Sequence, residues 1–429
     1  MKCLGYILAP PHSIPPAAKK LYGFVIIKTQ SSCPAPTFLL VYRHYLNIFY
    51  MPTPENSPLQ AELRAVTAVK ELFDVAYQKA VTSGDTTEAE RLKQELTNKI
   101  NALKEKLNPF EARLRVREQY ESQKTIMARL GILEALADGS LGIKGIDGQE
   151  FPLPSYQEVS KRMVEKKEVL GTKIDQGFVK LLLAPFGMPL DKLVGIYRVA
   201  LQKHFNDKKL FYTRKTKPDP AEPDEPLEPI TELHSDGPLW VWDKYNGADI
   251  SGELVYYPKE FSKDNHGAKT KTDLLAHNKN NGFTIRLLED MPNIPRQGQG
   301  KTVGSTGHER VQLDTAGTSI QKYIEQGQTI PNPREYLKAL QTEPQYQHEQ
   351  GMTPEEQIMY ALTHLEKTNQ VIDDFKGKGS ISYQIGAYFP SSEGVPGSYW
   401  YRDRHQANLG GNVPGYRDVS YGVRSAVRV

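Results

Sequence analysis

Cysteine occurs only at Cys3 and Cys33, and everything from Met51 onward has none. That remainder needs no oxidising compartment, offers no thiol chemistry and has no cysteine for a zinc site. Acidic residues are absent from positions 1–50, a stretch that holds four Lys and one Arg. The formal charge of +3 therefore comes from these first residues, and the rest of the chain is slightly acidic. Such a balance does not imply nucleic-acid binding. Lysine stops at Lys378, although the preceding chain is rich in it. Long apolar runs are missing: the stretch from Phe38 to Tyr50 holds Arg43, His44 and Asn47 and is too short to span a bilayer. No signal peptide with a small-residue cleavage site is found, so no membrane association is expected and the cytoplasm is the expected compartment.

Familiar catalytic patterns are missing as well. The ten histidines include no HExxH pair and no compact metal-ligand grouping. His266, His277 and His308 are widely spaced and read as solvated loop residues, His364 as a packed or exposed helix residue. Gly298-Gln299-Gly300-Lys301-Thr302 has the ending of a phosphate-binding loop. The glycine required five residues before Gly300 is Pro295, whose missing N–H spoils the backbone cradle. Asp290 and the Asp373-Asp374 pair lack EF-hand spacing and read as solvated carboxylates. No metal, cofactor or enzymatic activity is expected.

Residues 1–50 differ in composition from residues 51–429. Met51 is read as the natural start, with 1–50 a translated upstream or disordered segment; a targeting or membrane-associating segment is the alternative. Residues 51–210 read as an all-helical domain. Leu63, Val66, Val69, Leu72, Phe73, Ala76, Tyr77 and Ala80 recur at helical spacing up to a break at Ser83-Gly84-Asp85. Ala89, Leu92, Leu96, Ile100, Leu103 and Leu107 form a second stripe, so a helical hairpin is predicted. A third helix is predicted over 110–137 and a turn-rich connection over 138–154. Ser155-Tyr156-Gln157-Glu158 is a capping box opening a helix towards Leu183, and a corner at 185–189 precedes another helix through Ile196, Tyr197, Leu201 and Phe205. Ordinary core packing accounts for all these stripes.

The stretch from Lys217 to Pro229 has five prolines and five acidic residues in thirteen positions, which places an extended linker over 211–232. Residues 233–429 read as α+β. Short strands are predicted at 239–242, 254–257, 283–288, 380–389 and 421–429. Helices are predicted from Pro333 to Leu340 and after Thr353-Pro354-Glu355-Glu356, with a long glycine-rich loop over 292–318.

The tail from Ser398 mixes Tyr, Arg, Asp, Asn, Ser, His and Gly. Tyr covers much area at low entropic cost while Ser, Asn and Gly adapt, and recognition surfaces use that combination. The alternating Val and Arg at the end read as a packed strand. Tyr388, Phe389 and Trp400 read as core. Tyr399, Tyr401, His405, Asn408, Asn412, Tyr416, Asp418, Ser420 and Tyr421, interleaved with Gly and Pro, read as displayed on loops.

The ending Tyr421-Gly422-Val423-Arg424, followed by Ser425-Ala426-Val427-Arg428-Val429, resembles that of the C-type-lectin-like fold in its formylglycine-generating-enzyme-like branch. The segment from Ser398 resembles the variable region of proteins diversified by a retroelement that mutates adenines. The resemblance implies AAY codons whose substitutions yield Asn, Asp, His, Tyr, Ser, Gly and Arg but not Lys. It implies a variable region over 398–421, with ligand-binding positions at Tyr399, Tyr401, His405, Asn408, Gly411, Asn412, Tyr416, Asp418, Ser420 and Tyr421. Trp400, Gln406, Ala407, Pro414 and 422–429 would be its fixed scaffold. The enzyme branch works through copper-cysteine chemistry, for which residues 51–429 have no cysteine.

The expected architecture is α+β, a helical N-terminal domain followed by a C-type-lectin-like domain with short strands, two helices and long loops. The expected function is non-enzymatic capture of a protein or glycan ligand, with no nucleic acid and no membrane, the helical half serving for homo-oligomerisation or docking. The alternatives are a helical scaffold protein with a passive C-terminal domain, and an enzyme with a site in the 292–318 loop.

Overall fold

The computed structural model describes residues 58–83, 87–107, 110–213, 226–276, 282–294, 332–377, 379–418 and 420–429. The segment 1–50, most of the acidic proline-rich stretch, His277, His308 and residues 295–318 of the glycine-rich loop lie outside them.

The two apolar stripes form helices α1 (Pro58–Ser83) and α2 (Thr87–Leu107), which pack on each other through Val69 and Ala80 of one and Ala89, Leu92 and Leu96 of the other. Leu72 departs from the expected stripe and is 58% exposed beside Val75 at 70%. The third helix is shorter than predicted and split, into α3 (Glu111–Leu114) and α4 (Val116–Arg129), because Arg115 takes a left-handed φ of 49°.

The expected all-helical character of 51–210 is wrong from this point on. Residues 134–152 form an antiparallel meander, β1 (Glu134–Ala135), β2 (Leu141–Lys144) and β3 (Glu150–Pro152). Its turns use Asp138-Gly139 and Asp147-Gly148. Each glycine adopts positive φ, and the two carboxylates accept from the backbone N–H of Ser140 and Gln149. The Ser155 capping box is present and opens α5 (Tyr156–Glu165), followed by α6 (Lys167–Asp175). The predicted continuation to Leu183 fails at Gly177, whose φ of 100° ends the helix and lets the chain leave as strand β4 (Phe178–Ala184). A short apolar run such as this reads equally well as buried helix or buried strand, since periodicity does not separate the two. Helix α7 (Leu190–Asn206) comes after the corner at 185–189.

Strand β4 pairs antiparallel with β8 (Thr284–Glu289), far along the chain. Strand β16 (Ser425–Arg428) pairs with β8 and with β9 (Glu349–Gly351), giving the order β4-β8-β16-β9. One hydrophobic core runs from Phe110 to Val429. The segments either side of the acidic proline-rich stretch thus share a sheet and a core. The end of that stretch is itself docked: Ile230 is buried and its N–H donates to Leu210 O.

The fold is α+β, with helices concentrated in the N-terminal half and strands in the C-terminal half. A second, six-stranded sheet is built from β5 (Leu239–Val241), β10 (Asp374–Phe375), β11 (Ile381–Tyr383), β13 (Val395–Tyr401), β14 (Gln406–Asn412) and β15 (Tyr421–Val423). Its order is β15-β11-β13-β14-β5, with β10 alongside the end of β13. Another small sheet joins β12 (Ala387–Tyr388), β6 (Val255–Tyr256) and β7 (Lys269–Thr270). Short helices α8 (Ala248–Ser251) and α9 (Lys271–Ala276) flank it in sequence. Two longer ones, α10 (Pro333–Thr342) and α11 (Pro354–Thr368), each begin with a complete capping box, on Asn332 and Thr353. Among the described residues no helix is long and apolar enough to cross a membrane.

Helix α11 is buried over most of its surface, including Glu355, Glu356 and Gln357 of its first turn. Glu356 lies 2.6 Å from Arg286 Nε, Glu355 2.8 Å from Lys271 Nζ, and Gln357 accepts from Arg424 at 3.0 Å. Asp373 and Asp374, expected to be solvated, are fully buried. Each is held by an arginine, Asp373 by Arg424 at 2.9 Å and Asp374 by Arg402 at 2.6 Å. Burying a carboxylate without such a partner would cost several kcal/mol. Arg286→Leu leaves Glu356 buried and uncompensated, and is expected to lower unfolding free energy by about 3–5 kcal/mol in urea titration. A loss below about 1 kcal/mol would show that this pair does not hold the helix.

His364 lies in α11. Burial pulls its imidazole from the ordinary 6.5 down to about 4, with Lys180 and Arg424 adding to the effect and Asp290 opposing it. The unfolded chain binds a proton there between those values while the folded chain stays neutral. Stability from this site is full above about pH 6.5 and is lost as pH falls towards about 4. His364→Gln is therefore expected to flatten the fall of the urea midpoint over that range. Identical pH slopes in variant and parent would contradict a buried neutral imidazole.

Candidate recognition surface

Side chains alternate between the two faces of a strand, so the register of the six-stranded sheet sorts the tail into two sets. Trp400 lies opposite Ala407 and Ser398 opposite Leu409, and Trp400, Ala407 and Leu409 belong to the main core. The other face carries Tyr399 and Tyr401 of β13, Asn408 and Asn412 of β14, Trp240 of β5, Phe375 of β10 and Tyr421 of β15. Asn408 pairs in register with Tyr399 on one side and Trp240 on the other, and Phe375 with Tyr401.

One end of this second face is covered. Tyr336, Leu337 and Leu340 of α10 pack there in a smaller core with Tyr383, Val395 and Val423. The rest is part-exposed and aromatic. Phe375, Tyr399 and Tyr401 form a triangle with ring centroids 5.5–5.8 Å apart. Arg404 sits over the Tyr401 ring at 5.4 Å and Lys376 over Phe375 at 5.5 Å, so the aromatic floor has a cationic rim. Partial burial pushes the Tyr399 hydroxyl up to about 12, which keeps it neutral and a donor at physiological pH. Trp240, 43% exposed, extends the floor across Asn408.

Beyond β14, Tyr421 stacks on Tyr383 with centroids 4.6 Å apart and meets Tyr416 edge-on at 5.6 Å. Asn412 Nδ2 donates to the Tyr421 hydroxyl at 3.3 Å. Tyr416 is 39% exposed, and its hydroxyl donates to Asp418 Oδ2. Asp418 Oδ1 in turn accepts from Ser420 N at 2.7 Å, closing the loop on itself. Arg417 Nη1 ties this loop to α10 through Glu335 at 2.7 Å.

The expected loop display is corrected for most of these positions. Tyr399, Tyr401, Asn408, Gly411 and Asn412 lie on strands because residues 395–412 form a long hairpin, and Tyr421 lies on β15, paired with β11. Two positions are not displayed at all. Asn408 is buried, its amide bonded to Gln406 O at 3.1 Å. Gly411 points to the face shared with Trp400, and a Cβ there would lie 2.6 Å from the Trp242 ring. His405 is a fixed corner, bonded through Nδ1 to the Tyr212 hydroxyl at 2.9 Å and through Nε2 to Glu232 at 2.8 Å. Tyr399, Tyr401, Asn412 and Tyr421 come together on the sheet, and Tyr416, Asp418 and Ser420 border them.

Trp240 and Phe375 belong to this surface and were not among the residues singled out from sequence. The alternation Leu239-Trp240-Val241 carries a signal for Trp240, one apolar residue in and one out. Phe375, beyond the buried Asp373-Asp374, carries none. Among the described residues no three His, Cys, Asp or Glu side chains converge as a metal site requires. No family model, curated protein or solved structure matches the chain.

Proposed function

We propose that this protein is a non-enzymatic binding protein that captures a protein or glycan ligand on the part-exposed face of its six-stranded sheet. The observation that carries this reading is the aromatic floor of Trp240, Phe375, Tyr399 and Tyr401, bordered by Tyr416 and Tyr421 and rimmed by Arg404 and Lys376. Rigid aromatics flanked by guanidinium and amide groups supply anchors with adaptable polar neighbours. Their backbones lie on or beside a paired sheet, so little order has to be gained on binding.

The reading extends to diversification by an adenine-mutating retroelement on a C-type-lectin-like scaffold. The exchangeable positions are then Tyr399, Tyr401, Asn412, Tyr416, Asp418, Ser420 and Tyr421. Asn408 and Gly411 fall to the scaffold because neither offers a side chain outward. The helical hairpin serves for oligomerisation or docking, a role supported by the exposure of Leu72 and Val75.

Replacing Tyr399, Tyr401 and Tyr416 together by Ala is expected to leave the circular dichroism spectrum and cooperative unfolding in place while abolishing capture of partners from the native cell extract. Unfolding of the triple variant would assign these rings to the core instead. The encoding DNA is expected to have a reverse-transcriptase gene nearby and a second copy of the region for 398–421 that differs at adenines. Finding neither, together with invariant codons across strains, would remove diversification and leave binding to be judged by the triple variant.

A further inference from the structure

The register of the first sheet sets Arg428 directly opposite Arg286. Like charges across an antiparallel pair destabilise a sheet unless something answers them. Glu356 answers Arg286. Arg428 is exposed and stands at the rim of a cavity of about 470 Å³, with Arg162 and Lys166 from the junction of α5 and α6 on the same wall. Lys166 Nζ donates to the backbone carbonyl of Arg428 at 3.1 Å, which fixes that junction over the end of β16.

The positive charge of this wall exceeds its negative charge. Arg162, Lys166 and Arg428 face one acidic side chain there, that of Glu165, which is shared with Lys161 at 3.9 Å. The ammonium of Lys166 is held below its ordinary value by burial and by the crowding of Arg428, Arg286 and Arg162, against Glu165. A nearby anion would relieve that crowding. The cavity is also lined by apolar and aromatic side chains, those of Phe186, Phe283, Leu274 and Ile285. Tyr257 links the two sets, its hydroxyl accepting from Arg286 at 3.0 Å and its ring lying 6.5 Å from that of Phe186. The volume suits a small organic molecule.

We propose that this cavity binds a small organic anion, its phosphate or carboxylate head against Arg162, Lys166 and Arg428 and its apolar or aromatic body against Phe186 and Phe283. The site shares no residue with the recognition surface and does not rest on that reading. A single guanidinium can donate two parallel hydrogen bonds to such a head, and aromatic side chains receive the body.

Calorimetric titration of the full chain with phenyl phosphate, benzoate, inorganic phosphate and benzyl alcohol tests the assignment. Phenyl phosphate or benzoate is expected to bind one-to-one, and more tightly than either inorganic phosphate or benzyl alcohol. The pair Arg162→Gln and Arg428→Gln, at a part-exposed and an exposed position, leaves the Lys166 hydrogen bond to the Arg428 carbonyl in place and is expected to weaken that binding by about tenfold or more with thermal unfolding unchanged. Should the pair lower folding stability, Arg162→Gln alone provides the same reading. No saturable binding of either aromatic anion, or affinity unchanged in the variants, would overturn the site. Equal affinity for inorganic and phenyl phosphate would overturn its apolar half.

Discussion

The first turn of α11 is the constraint on which the rest depends. Three consecutive polar side chains are buried there, and each is answered from a different part of the chain. Lys271 of α9 reaches Glu355, Arg286 of β8 reaches Glu356, and Arg424 reaches Gln357. Lys271 also holds Asp249 at 2.6 Å and the Met188 carbonyl at 3.0 Å, which brings α8 and the corner before α7 to the same place. Acidic groups suit the positive end of a helix, yet desolvating them costs several kcal/mol per ion unless a cation arrives. The helix therefore buries its first turn only when all these segments are in position.

Arg424 carries the constraint outward. It stands between β15, which joins the six-stranded sheet, and β16, which joins the four-stranded one. Its guanidinium is paired with Asp373, one residue before β10, and with the carbonyl of Met291, just after β8. One buried ion pair thus fixes the seam between the sheets. It also fixes the level at which β10 and its Phe375 meet Tyr401.

Much of this was legible in local chemistry. The capping boxes at Ser155 and Thr353 declare their helices, because side chain and backbone satisfy each other within four residues. The strands at 239–241 and 284–289 arise from β-branched and aromatic runs. What failed depended on distant partners. Residues 178–184 read as the end of a helix until β8, a hundred residues on, supplies the ladder that makes them a strand. The Asp373-Asp374 pair reads as solvated until Arg424 and Arg402 close over it. Tyr399, Tyr401, Asn408 and Asn412 read as displayed on loops, since the Gly and Pro interleaved with them mark turns in isolation. In the hairpin Gly397 lies opposite Gly410 and Gly411 makes room for Trp242. Tyr399 and Tyr401 were found from composition, but the face they share was visible only through register.

Under the proposed function the tail holds an exchangeable face on a fixed frame, and a proteolysis-based stability scan of every substitution across 398–421 tests that division most directly. Substitutions at Tyr399, Tyr401, Asn412, Tyr416, Asp418, Ser420 and Tyr421 are expected to leave the protein folded. Those at Trp400, Ala407, Asn408, Leu409 and Gly411 are expected to destabilise it, Gly411 by about 1–3 kcal/mol through overpacking against Trp242. Uniform sensitivity along the segment, or tolerance at Gly411 and Asn408 equal to that at Tyr416, would contradict the account.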